Sequence, residues 1–167
     1  MGYHQAGFDE IVGVDNRPQK HYPFQFIQAD ALQFLAGEWK GFDAIHASPP
    51  CQAYTSLKRM WNAQEHPDLV PVTRQLLESS SKPYVMENVP GAPMGNFIVL
   101  CGSMFGLGCH EAELRRHRLF EVNPPILLTP PCSHNWKPQT IMVYGHAGGW
   151  STRVRNRFAS AVIGVYG

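Results

Sequence analysis

The chain has 167 residues, a formal net charge of +1, 44% hydrophobic residues and 16% charged residues. This length and composition are typical of one globular domain that buries about two thirds of its unfolded surface, and they exclude a disordered or fibrous protein. No apolar stretch approaches the ~18 residues of a membrane span and the N-terminus lacks a signal-peptide layout, so we expect a cytosolic protein with no membrane partner. Four irregularly spaced cysteines are too few for a disulfide framework, and we expect reduced thiols.

The first part of the chain predicts alternating helices and strands. The predicted elements are a helix end over residues 3–8, a strand over 10–15, a strand over 24–30 and a helix over 31–35. Asp15 and Asp30 end the two strands. An acidic residue at such a position commonly accepts hydrogen bonds from ribose hydroxyls, but Asp15 is equally well explained as a turn residue, and Asp30 as a helix N-cap.

The sequence Pro49-Pro50-Cys51-Gln52 follows a short apolar run over residues 42–45. Each proline fixes φ and removes a backbone donor, so the pair ends the strand and leaves the Cys51 side chain exposed there. Because ligands bind at the carboxyl ends of strands in open α/β sheets, a nucleophile at this place is well positioned for chemistry. A buried cysteine in a proline-rich turn is the alternative.

The middle of the chain predicts a loop, a helix and a strand. Residues 52–66 show no period and indicate a loop that is either functional or simply solvated. Residues 66–78 predict a helix, and residues 84–87 predict a strand. The apolar face of the helix is predicted to be Leu69, Val72, Leu76 and Leu77. In a parallel sheet Glu87 would reach the same edge as Cys51; a surface carboxylate paired with a lysine is its alternative.

Arginines precede the last predicted strand of the core. Strands are expected over residues 97–100 and 119–122, and Arg115, Arg116 and Arg118 come just before the second. Arg116 and Arg118 are two residues apart, so their side chains would share one face of an extended chain.

Two Cys/His pairs, Cys109-His110 and Cys132-Ser133-His134, are separated by about 20 residues. Thiolates and imidazoles are the ligands that structural zinc selects, which makes a four-ligand site one interpretation. Adjacent Cys109 and His110 cannot easily bind one ion together. We therefore expect no metal site and interpret these residues as parts of loops.

Three segments carry a family resemblance. They are Pro49-Pro50-Cys51-Gln52, Tyr84-Val85-Met86-Glu87-Asn88-Val89-Pro90 and Leu114-Arg115-Arg116-His117-Arg118-Leu119-Phe120. In this order and spacing they resemble the cytosine-5 DNA methyltransferases, most closely the compact phage-like members. The resemblance spans residues 3–145 and implies an α/β fold with a Rossmann-like sheet that binds S-adenosyl-L-methionine.

The resemblance also implies roles for individual residues. The catalytic residues would be Cys51, Glu87, Arg116 and Arg118. The cofactor S-adenosyl-L-methionine would be bound by Asp15, Asn16, Asp30, Ala31 and Pro49. Double-stranded DNA would be contacted by Pro50, Gln52, Ser56, Asn88 and Arg115. Within these sets Asp15 would hold the ribose, Asp30 the adenine amine, and Asn88 would keep the segments that carry Glu87 and Pro50 in register.

The chain departs from the family at both ends. Family members begin with a strand that carries an aromatic-x-Gly-x-Gly turn, whereas Met1-Gly2-Tyr3 corresponds to the following helix, so we expect a sheet incomplete at its N-terminal side. A partner chain, a second copy or residues 159–167 could complete it. We expect one domain, made of a core (residues 3–122), a short insert in place of a target recognition domain (residues 123–138) and a C-terminal segment (residues 139–167).

Three functions remain open at this point. The first is a DNA (cytosine-5-)-methyltransferase of the kind used in restriction-modification, acting in a bacterial or phage-infected cytosol. The second is a catalytically inactive DNA-binding remnant, or half of an assembly that needs a partner to complete the cofactor site. The third is an unrelated enzyme that modifies free pyrimidine nucleotides with the same cysteine chemistry.

Overall fold

The computed structural model describes residues 2–54, 66–109, 112–134 and 139–141, with the side chains of Cys109, Gln139 and Ile141 left undescribed. The described residues form a mixed α/β protein and divide into two compact units, the first ending at Phe42 and the second beginning at Asp43. Within these ranges, none of the helices combines the length and the apolar character that crossing a membrane requires.

The first unit contains two helices, two strands and a short 3₁₀ turn. These are α1 (Gly2–Gln5), β1 (Val12–Asp15), β2 (Gln25–Gln28), α2 (Ala31–Gly37) and the 3₁₀ turn Trp39–Gly41. β1 and β2 pair in parallel, with Val12 opposite Gln25 and Asp15 opposite Gln28. The sequence therefore predicted every one of these elements except the 3₁₀ turn. Both strands are shorter than predicted, and α2 ends two residues later than predicted.

Local chemistry explains where these elements begin and end. Gly7 has φ 97°, a left-handed conformation that favours glycine and ends the helical turn before it. Gly13 lies so close to the Tyr22 ring that an added Cβ would stand 2.6 Å from it, so a larger residue there would require the ring to move. Asp30 caps α2, because its Oδ1 accepts from the amides of Leu32 and Gln33, both at 2.9 Å.

The second unit is built on a four-stranded sheet. Its elements are β3 (Ile45–Ala47), α3 (Val70–Ser80), β4 (Tyr84–Asn88), β5 (Phe97–Leu100), β6 (Gly108–Cys109), β7 (Ala112–Leu114), β8 (Arg118–Asn123) and β9 (Gln139–Ile141). The four-stranded sheet has the order β3-β4-β8-β5, while β6, β7 and β9 form a smaller sheet. β3 and β4 are parallel, and β8 is antiparallel to both of its neighbours.

Helix α3 begins later and buries a different face than the sequence predicted. It starts at Val70, where Asp68 Oδ1 accepts from the Val70 amide at 3.1 Å, and its buried residues are Val70, Thr73, Leu77 and Ser80. The predicted apolar face is wrong at Val72, which is 37% exposed. Thr73 and Ser80 can be buried because each hydroxyl donates to a backbone carbonyl of the helix.

A buried ion pair joins α3 to the sheet. Glu121 of β8 is 5% exposed, and its carboxylate accepts two bonds from Arg74 Nε, at 2.8 and 3.1 Å, and one from Arg74 Nη2 at 2.9 Å. The Tyr84 hydroxyl of β4 and the Gly95 amide donate to the same carboxylate. Arg74 also donates to the Pro93 carbonyl at 2.7 Å. One carboxylate thus connects a helix, two strands and the loop before β5.

The Glu121→Gln variant is expected to lose about 3 kcal/mol of unfolding free energy, since it leaves the Arg74 charge without its partner. Burial alone would raise the pKa of Glu121, but the bonds from Arg74 and Gly95 outweigh it and hold that pKa below its ordinary value. The folded state therefore binds fewer protons than the unfolded state, so this stabilisation is complete above the usual carboxylate pKa and is lost as pH falls through the lowered one.

Urea denaturation between neutral and acid pH measures this contribution. The matched control is Glu78→Gln, which removes an exposed carboxylate from the same helix. Equal stability losses in the two variants would contradict the role of the Glu121 pair.

Candidate active site

Two strand ends that the sequence predicted to meet do lie at one edge of the sheet. In the parallel pair, Ile45 of β3 is opposite Tyr84 of β4 and Ala47 is opposite Met86. The chain after Ala47 leads to Cys51, and β4 ends with Glu87 and Asn88. Because both strands run in the same direction, the segments that carry Cys51 and Glu87 leave the sheet at the same edge.

The chain turns sharply at the predicted nucleophile. The Cys51 carbonyl accepts from the Tyr54 amide at 2.9 Å, which closes a four-residue turn directly after the two prolines. The Cys51 thiol is free and half-buried. The turn is next to Gly91, where an added Cβ would lie 3.8 Å from the Tyr54 carbonyl oxygen. The Tyr54 hydroxyl donates to the Asp68 carboxylate just before α3. Cys51 is therefore held in a turn that contacts the segment after β4.

Asn88 connects the two strand ends directly. Its side chain is 1% exposed, and Nδ2 donates to the Pro49 carbonyl at 2.9 Å. Oδ1 of the same amide accepts from the Val89 backbone at 2.8 Å. This bond fits the role that the family resemblance implies for Asn88, which is to hold the segments of Glu87 and Pro50 in register. Pro50 is exposed. Cys51 lies two residues after Pro49, whose carbonyl is held by this bond.

Glu87 pairs with an arginine of the antiparallel strand. Arg118 Nε lies 2.8 Å from Glu87 Oε1, and the two side chains are 24% and 22% exposed. A lysine partner was the alternative considered for Glu87, and the partner is instead Arg118, one of the predicted catalytic residues. His46 of β3 is also close to this charge. Desolvation lowers the pKa of His46, and the negative charge of Glu87 opposes that shift.

The other arginines have separate surroundings. Arg115 Nε contacts the Glu113 carboxylate, which is 8% exposed. Arg116 is half-buried and lies just before β8, which begins at Arg118. The predicted strand after the arginines is confirmed, and it extends one residue further at each end than expected.

The predicted cofactor residues fall in both units, with Pro49 in the second and the other four in the first. Asp15 holds a turn, since its Oδ1 accepts from the Arg17 amide at 2.8 Å and its Oδ2 from Gln19 Nε2 at 3.2 Å. The Asn16 carbonyl accepts from Gln28 Nε2 at 3.2 Å. Ala31 is the exposed first residue of α2, next to the capping residue Asp30. The turn interpretation of Asp15 and the cap interpretation of Asp30 are therefore confirmed. Asp15 is the last residue of β1, and Asp30 comes two residues after the end of β2, which is parallel to β1.

Ser56 and His110 lie outside the described residues, and so does the side chain of Cys109. Gln52 is exposed on the turn after Cys51.

Cys132 and His134 belong to a cluster with two residues that the sequence analysis did not connect to them. Sγ or ring nitrogen atoms of Cys101, His117, Cys132 and His134 lie within 4.8 Å of one another. Burial alone would raise the pKa of the Cys101 thiol, but hydrogen bonds from Ser103, His134 and Cys132 outweigh it and lower that pKa to about 7.

Sequence reasoning also missed Arg74, Glu121 and His46. Arg74 and Glu121 are 47 positions apart and carry no local pattern. His46 directly follows the predicted strand and lies five positions before Cys51, and this position was the signal that could have pointed to it.

The chain matches no protein-family model, no curated protein and no solved structure.

The Asn88→Asp variant is expected to be less stable by about 1–3 kcal/mol. The substitution keeps the shape of the side chain but replaces the Nδ2 donor with an oxygen, which then faces the Pro49 carbonyl without a hydrogen between them. Thermal or urea denaturation measures the loss, and Asn96→Asp, at an exposed position, is the control. A stable Asn88→Asp protein would mean that the strand ends are joined by something other than this amide.

The Glu87→Gln variant is expected to lower the pKa of His46 further, because the negative charge that opposes its desolvation is removed. An NMR titration of the imidazole measures the shift, with Glu78→Gln as the control. An unchanged or raised His46 pKa in Glu87→Gln would contradict this account of the site.

Proposed function

We propose that the chain is a DNA (cytosine-5-)-methyltransferase with a Rossmann-like sheet, acting on a cytosine flipped out of double-stranded DNA. The observation that carries the proposal is the 2.9 Å hydrogen bond from Asn88 to the Pro49 carbonyl. It joins the ends of two parallel strands and so keeps the segment that bears Cys51 beside the segment that bears Glu87. A thiol and a carboxyl group at one sheet edge are the groups that pyrimidine methylation at carbon 5 requires.

Covalent catalysis overcomes the weak nucleophilicity of carbon 5. The Cys51 thiolate adds to carbon 6, the ring double bonds shift, and N3 takes up a proton, which produces an enamine with a nucleophilic carbon 5. S-adenosyl-L-methionine, when bound, would supply the methyl group from its sulfonium to carbon 5 and would leave as the neutral thioether. Loss of the carbon 5 proton to a base then expels the Cys51 thiolate, and release of the N3 proton restores the aromatic ring. The cysteine is thus regenerated in each cycle.

Glu87 and its arginine partner are assigned to the ring edge. A carboxyl group hydrogen-bonded to N3 and the exocyclic amine stabilises the charge that develops as the thiolate adds. The 2.8 Å contact with Arg118 supports this role, since it fixes the orientation of the carboxylate. Arg116 and Arg118 also bring positive charge to the target nucleotide and its phosphate, and Arg115 to the DNA backbone. The Arg115 role requires its contact with Glu113 to open.

Asp15 and Asp30 fit the cofactor by their chemistry. Both carboxylates follow the carboxyl ends of parallel strands, and carboxylates accept from ribose hydroxyls and from the adenine amine. Asp30 uses Oδ1 for both capping bonds, so Oδ2 is the oxygen we assign to the amine. A ribose hydroxyl at Asp15 would replace the 3.2 Å bond from Gln19 to Oδ2 and leave the bond from Arg17 intact. Asn16 and Ala31, which belong to the same unit, complete the cofactor contacts proposed there.

The proposal predicts a trapped protein–DNA adduct on duplex DNA that contains 5-fluorocytosine. After methyl transfer carbon 5 of that base has no proton to lose, so Cys51 cannot be expelled. We expect an adduct that survives denaturing electrophoresis with wild-type protein and S-adenosyl-L-methionine, and none with Cys51→Ser. On ordinary cytosine, methyl incorporation should fall about 10³-fold or more in that variant.

The same duplex without fluorine is the substrate control, and the melting temperature of Cys51→Ser checks its fold. Salt-dependent binding to duplex DNA without methyl transfer or adduct would contradict the enzyme and favour the DNA-binding remnant. Modification of free nucleotides in place of duplex DNA would favour the third function considered.

A further inference from the structure

Four side chains with soft or borderline metal-binding atoms converge from three separate segments. Cys101 directly follows β5, His117 directly precedes β8, and Cys132 and His134 belong to the chain after β8. Cys101 is buried, His117 is half-buried, and the other two are exposed. The convergence is not local, because the first and last of these residues are 33 positions apart.

The distances within this Cys₂His₂ cluster suit one tetrahedral ion. Cys132 Sγ lies 3.2 Å from His134 Nε2 and 3.4 Å from His117 Nε2, and Cys101 Sγ lies 3.6 Å from His134 Nε2. With zinc–sulfur bonds of about 2.3 Å and zinc–nitrogen bonds of about 2.0 Å, the sulfur–nitrogen edge of a tetrahedron is about 3.5 Å. The observed separations therefore leave room for an ion with ordinary bond lengths.

Hydrogen bonds alone account poorly for this arrangement. A thiol carries one proton, yet Cys132 Sγ has two imidazole nitrogens and the Ser103 hydroxyl, at 3.8 Å, around it. The two imidazole rings meet edge to face with centroids 5.1 Å apart, and both Nε2 atoms lie within 3.4 Å of Cys132 Sγ. A cation between the four atoms satisfies every one of them at once.

We propose that Cys101, His117, Cys132 and His134 bind one zinc ion as a structural site. Two thiolates and two imidazoles are a donor set that zinc selects, and four protein ligands leave no open position for chemistry. Each cysteine binds as a thiolate, so the thiol protons leave to solvent as the two zinc–sulfur bonds form. Of the residues in this set, the sequence analysis had weighed only Cys132 and His134 as metal ligands.

The ion would hold the segment that carries the arginines. His117 stands between Arg116 and Arg118, and Arg118 pairs with Glu87 at 2.8 Å. Leu100, before Cys101, is opposite Arg118 in the sheet, so zinc would tie the end of β5 and the start of β8 to the exposed chain that follows. The zinc site does not rest on the proposed methyl transfer, and its test needs no activity assay.

The test is the metal content of the purified protein after dialysis against a large excess of metal-free buffer. We expect one zinc per wild-type chain and an affinity at least about 100-fold lower in Cys132→Ser and in His134→Gln. Cobalt added to the metal-free wild-type protein should give the intense visible absorption of a tetrahedral sulfur-bound ion, a readout that depends on no variant.

Two controls separate ligands from neighbours. Ser133→Ala changes the residue between the two exposed ligands, and Cys51→Ser removes a thiol outside the cluster; both should keep full zinc content. Less than stoichiometric zinc together with no tetrahedral cobalt spectrum would overturn the proposal. A Cys101–Cys132 disulfide found by mass spectrometry in place of metal, or equal zinc loss in Cys51→Ser, would overturn it as well.

Discussion

The hydrogen bond from Asn88 to the Pro49 carbonyl is the constraint on which the candidate site depends. Two successive prolines take away the backbone donors that would otherwise continue the pairing of β3 with β4, so the strand ends need another connection. A buried amide supplies it, and its second polar atom is satisfied by the Val89 backbone. The buried Asn88 amide thus holds the segment of Cys51 beside the segment of Glu87, although the prolines prevent further β-sheet hydrogen bonds there.

The remaining support comes from charges within the sheet. Glu121 and Glu87 lie on strands that neighbour each other, and each carboxylate holds an arginine, Arg74 and Arg118 respectively. The first pair attaches α3 and the loop before β5 to the sheet. The second brings the start of β8 to the end of β4. Since β8 takes part in both, its central position decides how the helix and the candidate catalytic carboxylate are placed.

Local patterns were enough to predict most of the elements and the shared edge of Cys51 and Glu87, because alternation, prolines and strand-end acids are encoded within a few residues. The burial of α3 was not predictable in the same way. Thr73 and Ser80 look polar in sequence, yet each hydroxyl is satisfied inside the helix and can be buried. The Cys₂His₂ cluster and the Glu121 network join residues distant in sequence, and such contacts appear only once the strand order β3-β4-β8-β5 is known.

That strand order also determines which strands can pair while the chain is still being synthesised. β3 and β4 can pair early, but among the described strands β5 pairs only with β8, and β8 is synthesised after β5. One edge of β4 and the whole of β5 therefore wait, unpaired, while about 20 further residues emerge, which is on the order of one to a few seconds of translation. An unpaired strand edge can join another chain during that interval. The nascent chain is thus most open to aggregation or chaperone binding just before the arginine segment leaves the ribosome.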